Sequence, residues 1–127
     1  MARFKRIPQV QEGKIIYRDG IIDGIVLLAV KEIQHVKLDS KEHDSLTKNS
    51  AIDVRKEKDG VHIDITVKIH YLQNVSDMAF KIQESVRHNV EAMTEYRIAS
   101  VNVHISGIYF EDELDEKQIA IENKQEN

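Results

Sequence analysis

Between Val61 and Tyr71 the chain alternates without a break: Val61, Ile63, Ile65, Val67, Ile69 and Tyr71 are apolar, and His62, Asp64, Thr66, Lys68 and His70 fill the positions between them. Side chains along a strand point to opposite faces with a period of two, so this pattern requires one packed face and one wet face. A strand covered on both sides would be apolar throughout. The fold must therefore contain a sheet covered on one side only, and the cover has to come from elsewhere in the chain.

Two segments have the period to supply it. Ile22, Val26, Ala29, Ile33 and Val36 recur at helical spacing from Ile21 to Val36, and Val75, Ala79, Ile82, Val86, Val90 and Met93 do so after Asn74, a natural N-cap with Asp77 in the first turn. Lys14 to Arg18, bounded by Gly13 and Asp19-Gly20, reads as a first strand. Lys37 to Ser50 reads as a surface connection with one turn around Leu46. Asp59-Gly60 suits the centre of a type I′ hairpin turn. Pairing outward from it sets Glu57 opposite His62, Arg55 opposite Asp64, Val54 opposite Ile65 and Ile52 opposite Val67, which leaves Asp53 facing Thr66. A last strand places Val101, Val103 and Ile105 inward and Asn102, His104 and Ser106 outward, and ends at Gly107. The expected fold is an α+β two-layer sandwich in the order β-α-β-β-α-β, with two helices on one face of a mixed four-stranded sheet.

At 127 residues the chain is the size of one domain. Residues 1–12 read as a basic extension carrying Arg3, Lys5 and Arg6, residues 13–110 as the domain, and residues 111–127 as an acidic tail opened by Glu111, Asp112 and Glu113. Construction of the fold from 13 to 110 leaves both ends outside it. With no cysteine, disulfides, thiolate zinc sites and cysteine nucleophiles are excluded together. The apolar run Ile25 to Val30 is far short of the ~20 residues that span a bilayer, and the N-terminus lacks the apolar stretch of a secretory signal. A cytoplasmic location is expected.

Several stretches resemble the alkaline shock protein family, the envelope-stress-response proteins of Gram-positive bacteria. They are Gly13-Lys14-Ile15, Val61-His62-Ile63-Asp64-Ile65 with Val67, Ala79 to Val86, and the more specific Ser100-Val101-Asn102-Val103-His104-Ile105-Ser106-Gly107-Ile108. Two positions depart from the family pattern: His35-Val36 stands where Gly-Val is common, and Tyr71-Leu72 where Tyr-Gly is. The resemblance implies a small non-enzymatic cytoplasmic protein without a cofactor. Such a protein self-associates and works near the membrane through a membrane-anchored protein partner in envelope stress response or homeostasis. It also implies an alternative, a regulator of fatty-acid or membrane-lipid synthesis through contact with a biosynthetic enzyme.

The residues themselves offer no strong chemistry. There is no G-x-S-x-G nucleophile motif, no phosphate-binding glycine loop and no G-x-x-G clamp. His62, Asp64, His70 and His104 are metal-ligand types on the wet face, but neighbours two apart on a strand stand ~7 Å apart, and solvated polar residues are the simpler reading. No catalytic or metal residue is assigned. The wet face of His62, Asp64, Thr66, Lys68, His70, Asn102, His104 and Ser106 is the candidate partner surface. RNA binding there is a third reading, weakened because this face carries no aromatic side chain for stacking. Ile21, Ile25 and Leu28 form a second apolar stripe on the first helix and are the candidate self-association surface.

Overall fold

A computed structural model describes residues 13–41 and 49–110. The expected basic extension, the turn around Leu46 and the acidic tail lie outside the described residues. Helix α1 (Ile21–Lys31) is followed by strands β1 (Val36–Leu38), β2 (Ile52–Glu57) and β3 (Gly60–His70), helix α2 (Val75–Met93) and strand β4 (Ile98–Tyr109). The two-layer α+β architecture with a mixed sheet is the one expected, and the order from β2 onward is as read. The start differs. Lys14–Arg18 is not a strand, and the fourth strand is β1, carved from the segment read as a surface connection.

The sheet is built around β3. Its odd-numbered side chains from Val61 to Ile69 are all buried and its even-numbered ones half-buried, the consequence of its alternation. Both β1 and β2 run antiparallel along one edge of β3, end to end: Leu38 lies opposite Val67 and Ile52 opposite Ile65. Thr66 marks the junction, donating its N–H to Ala51 and accepting from Asp39 N–H. On the other edge β4 runs parallel to β3, the arrangement a helical crossover through α2 produces.

The hairpin register is offset by two residues from the expected one. Glu57 pairs with Gly60, Arg55 with His62, Asp53 with Asp64 and Ile52 with Ile65, so Lys58 and Asp59 form the turn. Gly60 serves a different purpose: at φ 132, an added Cβ would stand 2.8 Å from the Arg97 carbonyl oxygen. Glycine is there because β4 enters against the main chain.

α2 begins as its cap requires, with Asn74 Oδ1 accepting from Asp77 N–H at 2.9 Å. It buries Met78, Ile82, Val86 and Val90, while Val75 and Met93 of the expected stripe are exposed. α1 starts after Gly20, at φ 92, and stops at Lys31 instead of Val36. His35, at φ 73, reverses the chain into β1, so Ile33 and Val36 reach the core from a turn and a strand. α1 touches α2 on one side and β1 and β2 on another, and it buries Ile22, Ile25, Val26, Leu27, Ala29 and Val30 together. One continuous cluster of these side chains with those of β3 and α2 forms the core.

Candidate functional site

The open sheet face brings most of the expected surface together, with Asp64 at its centre. Arg55 on β2 donates to Asp64 Oδ2 at 3.1 Å, while Asn102 and His104 on β4 donate to Oδ1 at 3.1 and 3.0 Å. A carboxylate only accepts, so the Nε2 of His104 carries the proton. These bonds, led by His104 and then Arg55, hold the Asp64 carboxyl below the usual carboxylate range against the desolvation that opposes them. Asp53 lies directly across from Asp64, not from Thr66, and Arg55 offsets the like charges by also contacting Asp53 at 3.7 Å and Glu57 at 2.9 Å. Through Arg55 on β2 and Asn102 and His104 on β4, Asp64 ties three strands together.

At the hairpin tip, Glu57, Asp59 and His62 offer ligand atoms within 4.8 Å of one another. Of His62, Asp64, His70 and His104, the residues of metal-ligand type on the wet face, this group takes only His62. Its Nε2 donates to Asp59 at 2.8 Å and its Nδ1 lies 2.8 Å from the Ser100 hydroxyl. Ligation would require His62 to give up that proton, and the hydrogen bond to it holds the Asp59 carboxyl below its ordinary range.

The other end of the open face was not foreseen. β4 runs two residues past Gly107, where the register against β3 shifts between Val67 and Lys68, and this places Tyr109 beside His70. The His70 ring has the rings of His35, Tyr71 and Tyr109 at 5.5, 5.4 and 5.2 Å, and Tyr71 reaches Phe110 at 5.1 Å. Lys37 Nζ stands 4.6 Å from the centre of Tyr109. The open face therefore does carry an aromatic side chain. Beside it, Leu72 is 83% exposed and Phe110 69%. Leu72 holds φ 76 and His35 φ 73, the left-handed region that side chains with a Cβ rarely adopt. These are the two positions at which the resemblance read from the sequence implies glycine, the signal in the sequence for this corner.

Thr66 and Lys68 lie half-buried on the open face and Ser106 donates to the Val67 carbonyl. The expected self-association stripe is not continuous: Ile21 and Leu28 are exposed, but Ile25 is in the core because α1 is wedged between α2 and the sheet edge. Among the described residues, no helix is long and apolar enough to cross a membrane.

The fold and the open face define a small α+β module whose polar groups are tied to one another across strands. Residues 8–110 match the Asp23 family, described as having a cell envelope-related function, and the chain belongs to that family; the family's name and the residue Asp23 coincide by chance. The Spy1535 protein of Streptococcus pyogenes is 30% identical over 105 residues, 78% of this chain and 81% of the relative. YqhY of Bacillus subtilis is 33% identical over 61 residues, 48% of this chain and 45% of the relative. A stress response regulator gls24 homolog of S. pyogenes is 21% identical over 129 residues, 94% of this chain and 72% of the relative. No solved structure matches the chain.

Proposed function

We propose that this chain is a non-enzymatic adaptor of cell-envelope homeostasis, acting in the cytoplasm by holding a membrane-anchored protein against the aromatic corner of its open sheet face. The observation that carries the reading is Leu72, which is 83% exposed at φ 76. A leucine there gains almost nothing from burial and is held in a costly backbone conformation, which favours a contact made with something outside the chain. Tyr71 and Phe110 extend the same patch with rings that bury large area at low entropic cost, the character of side chains at protein interfaces.

Cross-linking of the tagged full-length chain in its native cells tests this, with Leu72→Asp in parallel. The adaptor reading expects a membrane-anchored protein cross-linked to the wild type and lost with Leu72→Asp at equal abundance of the tagged chain. Cross-links indifferent to Leu72→Asp would refute it. Recovery of a lipid-biosynthetic enzyme in place of a membrane anchor would move the assignment to a regulator of lipid synthesis. RNA as the dominant product would move it to the open face around Tyr109.

A further inference from the structure

The edge of β4 that faces away from β3 and the segment Lys14–Arg18, which lies outside every described strand, have complementary characters. β4 bonds to β3 along one edge only. Its first residues are covered on the other edge by α2: Glu91 accepts from Ile98 N–H, Arg87 reaches the Ile98 carbonyl, and Gln83 donates to the Val101 carbonyl at 3.0 Å. A residue's N–H and C=O leave a strand on the same side and alternate along it, so Val103 and Ile105 also point away from β3. Past the register shift, the Tyr109 carbonyl faces β3, bonded by Tyr71 N–H, which turns Ile108 outward. Among the described residues nothing pairs with the edge from Val103 to Ile108.

Edges of this kind are normally blunted by charge, proline or shortness. β4 has twelve residues and contains no Asp, Glu, Lys, Arg or Pro, in a chain in which 31% of residues are charged. Lys14–Arg18 is the complementary oddity: it has the β-branched and aromatic composition of a strand, yet belongs to no strand and leaves Ile15 66% and Ile16 81% exposed. Among the described residues, no hydrogen bond reaches the main chain of Lys14, Ile15 or Ile16.

The segment cannot close on its own edge. The Tyr17 hydroxyl accepts from Glu95 N–H at 2.9 Å and its ring lies 5.0 Å from that of Tyr96, anchoring it beside the start of β4. From Ile98 to Val103 is five residues, about 16 Å at ~3.3 Å per residue, whereas Lys14 to Ile16 can reach about 10 Å. We infer that Lys14–Arg18 of one copy adds as a strand to the Val103–Ile108 edge of β4 in a second copy, with the reciprocal pairing closing a dimer. Charge sets the direction. Run antiparallel to β4, the segment brings Lys14 to the end where Glu111, Asp112 and Glu113 follow in sequence. The inference does not rest on the adaptor reading: its edge ends beside Tyr109 and Phe110 of the aromatic corner, but Ile16→Pro changes the pairing segment and leaves Leu72 in place, so the two readings fail separately.

The full-length chain, which has no native cysteine, supplies its own test. Sedimentation should show a concentration-dependent dimer, and Ile16→Pro, which removes an N–H that bonds none of the described residues, should raise its Kd by about tenfold or more. Ile105→Lys should do the same from the other half. Chains carrying Ile16→Cys mixed with chains carrying Ile105→Cys should form a mixed disulfide between copies. A wild type that stays monomeric at high concentration, a dimer indifferent to Ile16→Pro, or failure of the mixed disulfide would each overturn the inference. Should Ile105→Lys not fold, Ile16→Pro decides by itself, since its site lies outside every described element.

Discussion

Replacing Leu72 by glycine should make the protein more stable, an unusual expectation for the deletion of a large apolar side chain. At φ 76 a residue with a Cβ gives up about 1–2 kcal/mol relative to glycine. Glycine returns part of this, about 0.4–1 kcal/mol, by widening the unfolded ensemble. With Leu72 83% exposed, the burial forfeited is at most about 0.5 kcal/mol. The net gain is therefore about 0.5 kcal/mol, or about 2–4 °C in Tm for a domain of this size. The cleaner quantity is the difference between two variants. Leu72→Ala loses the same burial but keeps the backbone penalty, so Leu72→Gly should exceed it by about 1 kcal/mol in urea unfolding followed by circular dichroism. Equal stability of the two, or alanine above glycine, would show that the loop relaxes and that no strain is held there. His35→Gly should gain less, because the ring contact with His70 at 5.5 Å is lost with it.

Two further outcomes follow from the sheet. Ile65→Ala empties a fully buried position in the core cluster and should cost about 2–5 kcal/mol, whereas Thr66→Ala on the open face should stay within about 0.5 kcal/mol; denaturant midpoints ranking Thr66→Ala as the more damaging would reverse the faces. The Asp64 carboxyl is held below its unfolded value, so its contribution is present above the unfolded pKa, near 4, and is lost as pH falls through the lower folded one. Asp64→Asn should therefore flatten the loss of stability below about pH 4. A variant whose stability falls with acid as steeply as the wild type would assign that loss to other groups.

The elements that were legible in the sequence are those in which one period leads to one environment. β3 has a core on one side and solvent on the other, and α2 meets the sheet along a single ladder from Met78 to Val90, so alternation and helical spacing translate directly into burial. Where two structures satisfy the same pattern, the reading slipped. A shift of two residues keeps every side chain on its face, so alternation could not detect the β2–β3 offset, and Gly60 drew attention to the turn when its work is the approach of Arg97. Ile33 and Val36 reach the core whether the chain continues as a helix or turns back as β1. Lys14–Arg18 has the composition of a strand, but β1 and β2 already fill that edge of β3. Tyr109 was missed because Gly107 looked like a terminus when the strand continues past it.

The aromatic corner was half legible, and the reason bears on function. His35 and Leu72 were visible as departures from glycine, but composition cannot say whether a loop keeps its conformation when glycine leaves it. Both turns are held in place by their neighbours: His70 N–H bonds the His35 carbonyl at 3.0 Å, Gln73 N–H bonds the His70 carbonyl at 3.3 Å and Tyr71 N–H bonds the Tyr109 carbonyl at 2.9 Å. The backbone is thus fixed by its neighbours, and the two side chains are additions that the fold tolerates at some expense. One of them turns toward His70 and the other into solvent. A fold that needs neither side chain leaves both free to serve a contact outside the chain, which is why the proposed partner surface is centred on Leu72 and not on the Asp64 network, where Arg55, Asn102 and His104 are already engaged within the chain.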